Sequence, residues 1–447
     1  MPLTEGHAAP FSADTRGSAT QAALLDAHGR GTLLVVGSEP PDGRDLDLLI
    51  PDAGLGETER RLAGAGFERH GHEWARFEGP RVELVELTPA SSWGLPGAVL
   101  EALLTDAEPI EPYARLRRPA PADGLLVLAR RRLGVHGPLA DKHRRRIAAL
   151  EAADPAAWET AAARSADWNV SRALAVLRAA SRSGTAPAAL RARAAAEAAR
   201  AQRRGLTGAL AGAARAVAPS PPRGAVIAVS GIDGAGKSTQ AAGLVLTLSD
   251  LGQEAAVEWS RITYDPVLRR IGAAPKRLLG WLARRAGDAH EDGADEDPGT
   301  AVAGALRERV AAADHAWALT VAVVHALGQR RALKPHLRAG RVVVRDRYVL
   351  DATVQLVESY GVRRDVRLQA AVLRRACPVP VAAFWLDVDP GEAYRRKPEE
   401  YTAAELAGHR RRYQAAYAAL GVERVDASRD PEVVAADLAR RVWRRLA

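Results

Sequence analysis

One stretch of the chain, AVIAVSGIDGAGKST from Ala225 to Thr239, combines residue types that together can hold a polyphosphate. Its apolar, β-branched run predicts a buried strand, and the run stops abruptly at a glycine-rich turn. Gly231, Gly236, Lys237 and Ser238 satisfy the spacing G-x-x-x-x-G-K-[ST]. Glycines permit positive φ and close backbone approach, so successive N–H groups can face a phosphate at the start of the following helix. The stretch therefore predicts a nucleotide-binding loop.

The side chains of this loop have distinct expected roles. Lys237 would reach the β and γ oxygens of ATP, and the Ser238 hydroxyl would ligate Mg²⁺. The chain has 63 Lys and Arg residues, of which only five are lysines. A lysine at this place suits a phosphate better than a planar guanidinium does. The residues predicted to bind ATP are Gly231, Asp233, Gly234, Ala235, Gly236, Lys237, Ser238 and Thr239.

Apolar segments further along the chain predict the sheet that must position this loop. Strands are expected within 253–259, in RVVVRDRYVLD, within 379–390 and in GVERVDAS, and a long helix is expected at 301–338. Alternating strands and helices of this kind predict an α/β fold with a doubly wound, mainly parallel five-stranded sheet.

Residues 264–286 predict a basic helix, and 287–299 predict an acidic loop without a catalytic role. Ligands bind at the carboxyl ends of such strands, which is where Arg261 and the Asp346-Arg347-Tyr348 triplet lie.

Three motifs, GIDGAGKSTQ, the later D-R-Y and LDVDP with the arginine-rich segment after it, resemble thymidylate kinases and their close relatives among the nucleoside-monophosphate kinases. The resemblance spans residues 224–447. It implies that Asp233 faces the acceptor sugar, that Arg347 holds the acceptor phosphate and that Asp346 lies near Mg²⁺. It also implies a lid over ATP, which would contribute Arg395 and Arg396, with Arg410 or Arg411 as further candidates.

These assignments agree with what phosphoryl transfer between two anions requires, namely positioning and charge neutralisation rather than a covalent nucleophile. The expected catalytic residues are Lys237, Asp346, Arg347, Arg395 and Arg396. The expected acceptor-binding residues are Asp233, Arg261, Arg347 and Tyr348. The expected metal ligands are Ser238 and Asp346.

Two departures from the family pattern bear on the acceptor. Thymidylate kinases carry an Arg-Glu-Pro-Gly turn after the second strand, and this chain matches only Arg261 there. A serine and a downstream tyrosine are expected after D-R-Y, and Asp351 and Ala352 stand in that place. The first expectation is ATP- and Mg²⁺-dependent phosphorylation of dTMP in nucleotide biosynthesis. The alternatives are a kinase of the same fold acting on another small phosphate or hydroxyl compound, and a nucleotide-switched binding protein.

A second candidate site lies near the N-terminus, where residues 31–51 predict strand, turn and strand. Asp45 and Asp47 would share one face of the second strand, and two such carboxylates can hold a divalent metal against a triphosphate. With Gly37 and Ser38, the pattern resembles the nucleotidyltransferase superfamily, in which Glu83 or Glu86 would supply a third carboxylate. That reading implies nucleotide transfer to a protein or small molecule. An inactive fold and a solvent-facing strand edge are the alternatives.

Composition and segment boundaries place these two sites in different domains. We expect a nucleotidyltransferase-like α+β region at 1–118, a helical connector at 119–217, a proline-rich linker at 218–223 and a thymidylate kinase-like domain at 224–447. A length of 447 residues agrees with two or three domains.

The bulk composition narrows the partners and the cellular location. The net charge of +9 would suit nucleic acid, but the basic residues lie among many acids without interleaved aromatics, so small nucleotides are the expected partners. No apolar leader follows Met1 and no segment has the composition of a membrane span, which predicts a soluble cytoplasmic protein. The single Cys377 excludes an intrachain disulfide. The sequence leaves both a monomer and a homodimer open.

Overall fold

The structure is a computed structural model of the 447-residue chain. It describes, with backbone alone for 299–317 and 359–360, residues 18–27, 31–42, 45–131, 139, 141–183, 186–194, 224–259, 299–360, 367–398 and 400–446. Arg261, the basic segment at 264–286, the acidic segment at 287–298 and the linker at 218–223 lie outside the described residues.

Backbone packing divides the chain into two compact units. The first unit comprises residues 13–76 and 83–220, and the second unit comprises 77–82 and 221–447. The helices that follow the N-terminal sheet thus belong to the same unit as that sheet.

Seven strands, most of whose residues belong to the first unit, form a sheet in the order β3-β4-β5-β2-β1-β7-β6. Strand β1 pairs antiparallel with β2 and parallel with β7, and β2 pairs parallel with β5. The strands are β1 Leu33–Val35, β2 Asp45–Ile50, β3 Glu68–His70, β4 Glu73–Glu78, β5 Arg81–Pro89, β6 Glu108–Pro109 and β7 Leu116–Arg118.

Helices of the first unit pack around a central, buried one, α4. Every residue of α4 from Ala122 to Ala129 is buried, because the run LLVLA is apolar on all sides. Its leucines share a core with Leu34 and Leu49 of the sheet and with residues of α5, α6 and α7. The helices are α1 Ala19–Asp26, α2 Asp52–Gly64, α3 Gly97–Thr105, α4 Pro121–Arg131, α5 Asp141–Ala153, α6 Ala157–Arg164 and α7 Ser171–Ser183, with further helical residues at 188–194.

The second unit is built on a sheet of five parallel strands in the order β12-β11-β8-β10-β9. Strand β8 lies at the centre and is buried along its whole length, as a continuous apolar run in a parallel sheet requires. The strands are β8 Ala225–Gly231, β9 Ala255–Trp259, β10 Val342–Asp346, β11 Ala382–Asp387 and β12 Glu423–Asp426.

Helices cover both faces of this sheet. Ile227 and Val229 of β8 face a core that includes residues of α8, α13 and α14. Val226 and Ala228 face the opposite core, with residues of α9, α10 and α11. The helices are α8 Lys237–Asp250, α9 Gly299–Arg338, α10 Val349–Tyr360, α11 Arg367–Ala376, α12 Pro390–Arg396, α13 Ala403–Ala416 and α14 Pro431–Leu446.

The structure confirms the predicted α/β class and the doubly wound parallel sheet of five strands. Each predicted strand is present, and β9 to β12 are shorter than the segments predicted for them. Strand β11 ends at Asp387, just before Asp389 caps α12. Within the described residues, no helix has both the length and the apolar composition that crossing a bilayer needs.

The buried thiol of Cys377 gives a direct report on the folding of the second unit. Cys377 is 4% exposed, and burial raises the pKa of its thiol to about 12. At pH 8 roughly one thiol in ten thousand would be ionised, and the thiolate is the reactive form. We expect Ellman's reagent to label the native chain very slowly and the urea-unfolded chain at once. Cys377→Ser should abolish labelling, and rapid labelling of the native chain would contradict the placement.

Candidate functional site

The loop between β8 and α8 depends on backbone conformations that glycine adopts easily. Gly234 and Gly236 have φ of 83° and 84°, in the left-handed region where a side chain is strained. A Cβ atom on Gly234 would also lie 2.2 Å from the carbonyl oxygen of Ala393 in α12. Position 234 therefore requires glycine both for its conformation and for the close approach of α12.

The loop leads directly into the N-terminus of α8, where backbone N–H groups have no partner within the helix. This helix begins at Lys237, directly after Gly236, which has no side chain to cap it. The first N–H groups of a helix have no carbonyl partner within it, and the helix dipole favours negative charge there. Ser238 is exposed and Thr239 is half-buried, whereas Ala235 is buried in the core. This end of the helix can accept a phosphate.

Lys237 lies folded back over the loop that precedes it. Its Nζ donates a hydrogen bond to the carbonyl oxygen of Ile232 at 2.8 Å and lies 3.3 Å from Oδ1 of Asp233. Burial lowers the pKa of the ammonium, and the nearby Arg347 lowers it further, while the surrounding carboxylates oppose the shift. The loop lysine is thus held among carboxylates at the point where a polyphosphate would lie.

Ser238 and Asp346, the two residues expected to ligate a metal, lie next to each other in space. Oγ of Ser238 donates a hydrogen bond to Oδ2 of Asp346 at 2.6 Å. Asp346 is 3% exposed, and its Oδ1 is a buried oxygen with no hydrogen-bond partner within the described residues. A hydroxyl beside a buried carboxylate with a spare oxygen fits Mg²⁺, which takes oxygen ligands and keeps several waters. These residues would hold the ion through Ser238 Oγ and the Asp346 carboxylate.

Arg347 contacts the loop through the side chain of Asp233. Its guanidinium is paired with the carboxylate of Asp233 through NH2. Its own backbone has a φ of 75°, unusual for a residue with a side chain, and its N–H donates to the carbonyl oxygen of Val229 at 2.9 Å. Burial by itself would lower the pKa of Arg347, but the carboxylates, Asp351 first, more than reverse this and raise it. Arg347 therefore stays charged at the loop.

Asp351 is a member of this cluster that the sequence analysis did not assign to the site. It is 3% exposed, on the first turn of α10. One carboxylate oxygen, Oδ1, lies 3.6 Å from NH1 of Arg347 and accepts a hydrogen bond from the Tyr413 hydroxyl at 2.7 Å. Its place four residues after Arg347, just inside a helix that begins at Val349, was the available signal.

The structure does not bring Tyr348 to the loop. Its side chain is buried in the core on the other face of the sheet, with Leu356 and Leu373. The hydroxyl donates a hydrogen bond to the carbonyl oxygen of Pro378 at 2.7 Å. Contact of Tyr348 with an acceptor stays a prediction, as does that of Arg261, which lies outside the described residues.

The predicted lid arginines lie on α12 and α13. Arg395 is 71% exposed and pairs with Glu392 of its own helix, and Arg396 pairs with the same glutamate at 3.0 Å. Arg410 forms a bidentate salt bridge with Asp387 at the end of β11, with N–O distances of 2.7 and 3.1 Å. Arg411 is exposed. The helix carrying Arg395 and Arg396 contacts the loop, but these two side chains point to partners within the protein.

The first unit carries the second set of candidate residues, on β2 and β5. Asp47 lies opposite Glu86 across these parallel strands, so the side chains of Asp45, Asp47 and Glu86 share one face. Glu83 lies on the other face, with its carboxylate 2.8 Å from Nε of Arg76. Of the two candidates for a third carboxylate, Glu86 is therefore the one beside Asp47.

Arg131, at the end of α4, lies between these carboxylates. Its NH1 donates to Asp47 and its NH2 donates to Glu86 at 3.2 Å. In the described part of the chain, no group of three or more His, Cys, Asp or Glu side chains is arranged to hold a metal ion. The Arg131 guanidinium offsets part of the negative charge of this cluster. Within the described residues, Asp47 Oδ1 is buried without a hydrogen-bond partner, while Arg131 pairs with the other oxygen, so a metal site on Asp45 and Asp47 stays a prediction.

The chain is also similar in sequence to another protein. It is 27% identical over 226 residues to a protein named "Probable thymidylate kinase" from Pyrobaculum aerophilum, a match that covers 49% of this chain and 97% of that protein. No protein-family model matches the chain. Together with the parallel five-stranded sheet, this similarity supports a kinase at the level of general reaction class.

Gly234 provides a test of the contact between the loop and α12. We expect Gly234→Ala to destabilise the second unit by more than the ~1–2 kcal/mol that a left-handed residue costs, because its Cβ would clash with Ala393. Gly252→Ala is the matched control, since Gly252 has a φ of 74° and open space around its Cα. The urea midpoint of Cys377 labelling measures both variants. Equal shifts would mean that α12 does not approach the loop.

Arg131 provides a test of the carboxylate cluster. Burial and the neighbouring Asp47 raise the pKa of Glu86, and Arg131 opposes the rise. We expect Arg131→Met to lower the stability of the first unit by about 1–3 kcal/mol at pH 7, because two carboxylates lose their cation.

The loss should shrink as the pH falls through the raised pKa of Glu86, because a protonated Glu86 no longer repels Asp47. Thermal unfolding at pH 7 and at pH 4.5 measures the effect. Arg145→Met, at an exposed position of α5, is the control. A deficit that is unchanged or larger at pH 4.5 would contradict this account of the cluster.

Proposed function

We propose that the second unit catalyses ATP- and Mg²⁺-dependent transfer of a phosphoryl group to a nucleoside monophosphate, with dTMP as the first candidate. The observation that carries this proposal is the convergence of Lys237, the Ser238–Asp346 pair and the Asp233–Arg347 pair on one loop. The similarity to a probable thymidylate kinase supports the same reaction class.

On the donor side, the loop and its lysine would bind the phosphates of ATP. The amide groups at the start of α8 would face the β-phosphate, and Lys237 would exchange its hydrogen bond to Ile232 for the β and γ oxygens. When bound at Ser238 and Asp346, Mg²⁺ supplies neutralising charge to the terminal phosphates. The protein's part is to orient these groups before the reaction, so that little reorganisation is needed when charge develops.

On the acceptor side, Arg347 and Asp233 would position the second substrate. Arg347 would hold the phosphate of the acceptor, and Asp233, paired with it in the structure, would turn to a hydroxyl of the acceptor sugar. Arg395 and Arg396 would leave Glu392 to approach the transferred group as the site closes over ATP. Closure would also exclude the water that competes for the phosphoryl group.

A second candidate function is phosphorylation of another small acceptor by the same machinery. Asp351 favours it, since a buried carboxylate lies beside Arg347 where thymidylate kinases are expected to have serine. A carboxylate at this place adds negative charge on the acceptor side and would change which acceptor binds best.

A coupled ADP-release assay across nucleoside monophosphates tests the proposal. We expect dTMP to stimulate ADP release, and Lys237→Ala to reduce it by about 10²–10³-fold, because a cation at the transferred phosphate is lost. Lys334→Ala, which removes an exposed lysine of α9, is the matched control and should keep full activity.

The other outcomes separate the alternatives. Stimulation by a different acceptor, with none by dTMP, would replace the substrate and keep the kinase. If ATP binds and no acceptor raises turnover above the Lys237→Ala blank, the chain is a nucleotide-binding protein rather than a kinase.

A further inference from the structure

The backbone conformation of Arg347 is strained and needs support from residues elsewhere in the fold. Its φ of 75° lies in the left-handed region, where a residue with a side chain pays a steric cost. Such a conformation persists only where surrounding contacts hold it. The N–H of Arg347 is fixed to Val229 at 2.9 Å, which secures the peptide that precedes it.

Asp351 secures the peptide that follows and the side chain as well. Its Oδ2 accepts a hydrogen bond from the backbone N–H of Tyr348 at 3.0 Å, the peptide directly after Arg347. Its Oδ1 lies 3.6 Å from NH1 of the Arg347 guanidinium. With Asp233 paired to NH2 on the other side, the guanidinium is held between two carboxylates. A single residue therefore constrains both the backbone and the head group of Arg347.

Tyr413 orients the Asp351 carboxylate in turn. It lies on α13, is 4% exposed, and donates its hydroxyl to Oδ1 of Asp351 at 2.7 Å. Burial raises the pKa of this phenol well above its ordinary value, and Asp351 raises it further. The phenol therefore stays protonated. Its hydroxyl donates a hydrogen bond to the Asp351 carboxylate, which can only accept one.

We propose that Asp351 and Tyr413 are positioning residues that set the Arg347 guanidinium for the acceptor phosphate. This inference rests on the proposed function, in which Arg347 binds that phosphate. Neither residue touches the substrate, and both act through Arg347. Their loss should impair acceptor binding while leaving the binding of ATP, which depends on the loop and Lys237, intact.

The same two helices supply a matched control. Glu358 of α10 pairs with Arg412 at 3.1 Å and with His409 at 3.4 Å, both on α13. This cluster joins α10 to α13 as the Tyr413–Asp351 bond does, but it does not include Arg347. Glu358→Gln therefore perturbs the packing of the two helices without disturbing the support of the guanidinium.

The kinetic test compares Asp351→Asn, Tyr413→Phe, the double variant and Glu358→Gln in the full chain. We expect Asp351→Asn to raise the KM for dTMP about tenfold and Tyr413→Phe to raise it about three- to fivefold, as loss of a charged and of a neutral hydrogen bond would. The KM for ATP should change less than twofold. The double variant should match Asp351→Asn, because Tyr413 acts through Asp351.

A second measurement does not need the acceptor. Phenylglyoxal modifies accessible guanidines, and the Arg347 side chain is 12% exposed and held by Asp233 and Asp351, so these contacts should protect it. Peptide mapping by mass spectrometry after modification should show Arg347 reacting about tenfold faster in Asp351→Asn than in the native chain, with Glu358→Gln unchanged. Cys377 labelling in urea verifies that each variant is folded, and Tyr413→Phe is the milder variant if Asp351→Asn fails to fold.

The two readouts separate the two proposals. If the native chain shows no dTMP-stimulated ADP release, the dTMP proposal fails, and Arg347 reactivity alone decides whether Asp351 and Tyr413 position it. Unchanged reactivity in folded Asp351→Asn and Tyr413→Phe overturns the positioning role. The positioning role is also overturned if the KM for dTMP in these variants stays within twofold of the native value or falls. It is overturned as well if Glu358→Gln has the same effect as Asp351→Asn.

Discussion

The pairing of β8 with β10 is the constraint on which the candidate site depends. Asp346 stands beside Val229 in this parallel register, so the chain leaves β10 at the level where β8 enters the loop. The hydrogen bond from Arg347 N–H to Val229 and the one from Ser238 to Asp346 both follow from that register. A shift of one residue would turn Asp346 to the opposite face and separate the loop from its carboxylate.

This register concentrates charge in a space that is largely closed to water. Within the described residues of the site, three carboxylates, Asp233, Asp346 and Asp351, face two cations, Lys237 and Arg347. In a medium of low dielectric constant, such a surplus of negative charge is costly. A bound polyphosphate would add further negative charge, which a divalent cation at the unpartnered oxygen of Asp346 would offset. The charge pattern therefore suits a metal-nucleotide complex better than a free nucleotide.

Features that are local in sequence could be predicted, and those set by tertiary packing could not. The run before Gly231 and the spacing to Lys237 identified a strand, a loop and a helix, because glycine and β-branched residues act over a few positions. The choice of Glu86 over Glu83 depended on the register of β2 and β5.

Tertiary contacts also decided which side chains reach the site. The inward turn of Tyr348 depended on a core formed with α11. Tyr413 meets Asp351 across 62 residues of chain, and Arg131 meets Asp47 across 84. Neither pair carries a signal in the spacing of its residues.

The absence of room at Gly234 has a consequence for how the site can close. The carbonyl of Ala393 occupies the place of a side chain at Gly234, so α12 has no room to move closer to the loop at this point. A closing motion toward the loop would therefore involve the chain beyond this helix. The chain leaves the helical region at Lys397, whose φ is −148° and whose ψ is 80°. The arginines of α12 would accordingly reorient by rotating their side chains, and larger displacements would belong to the chain that follows.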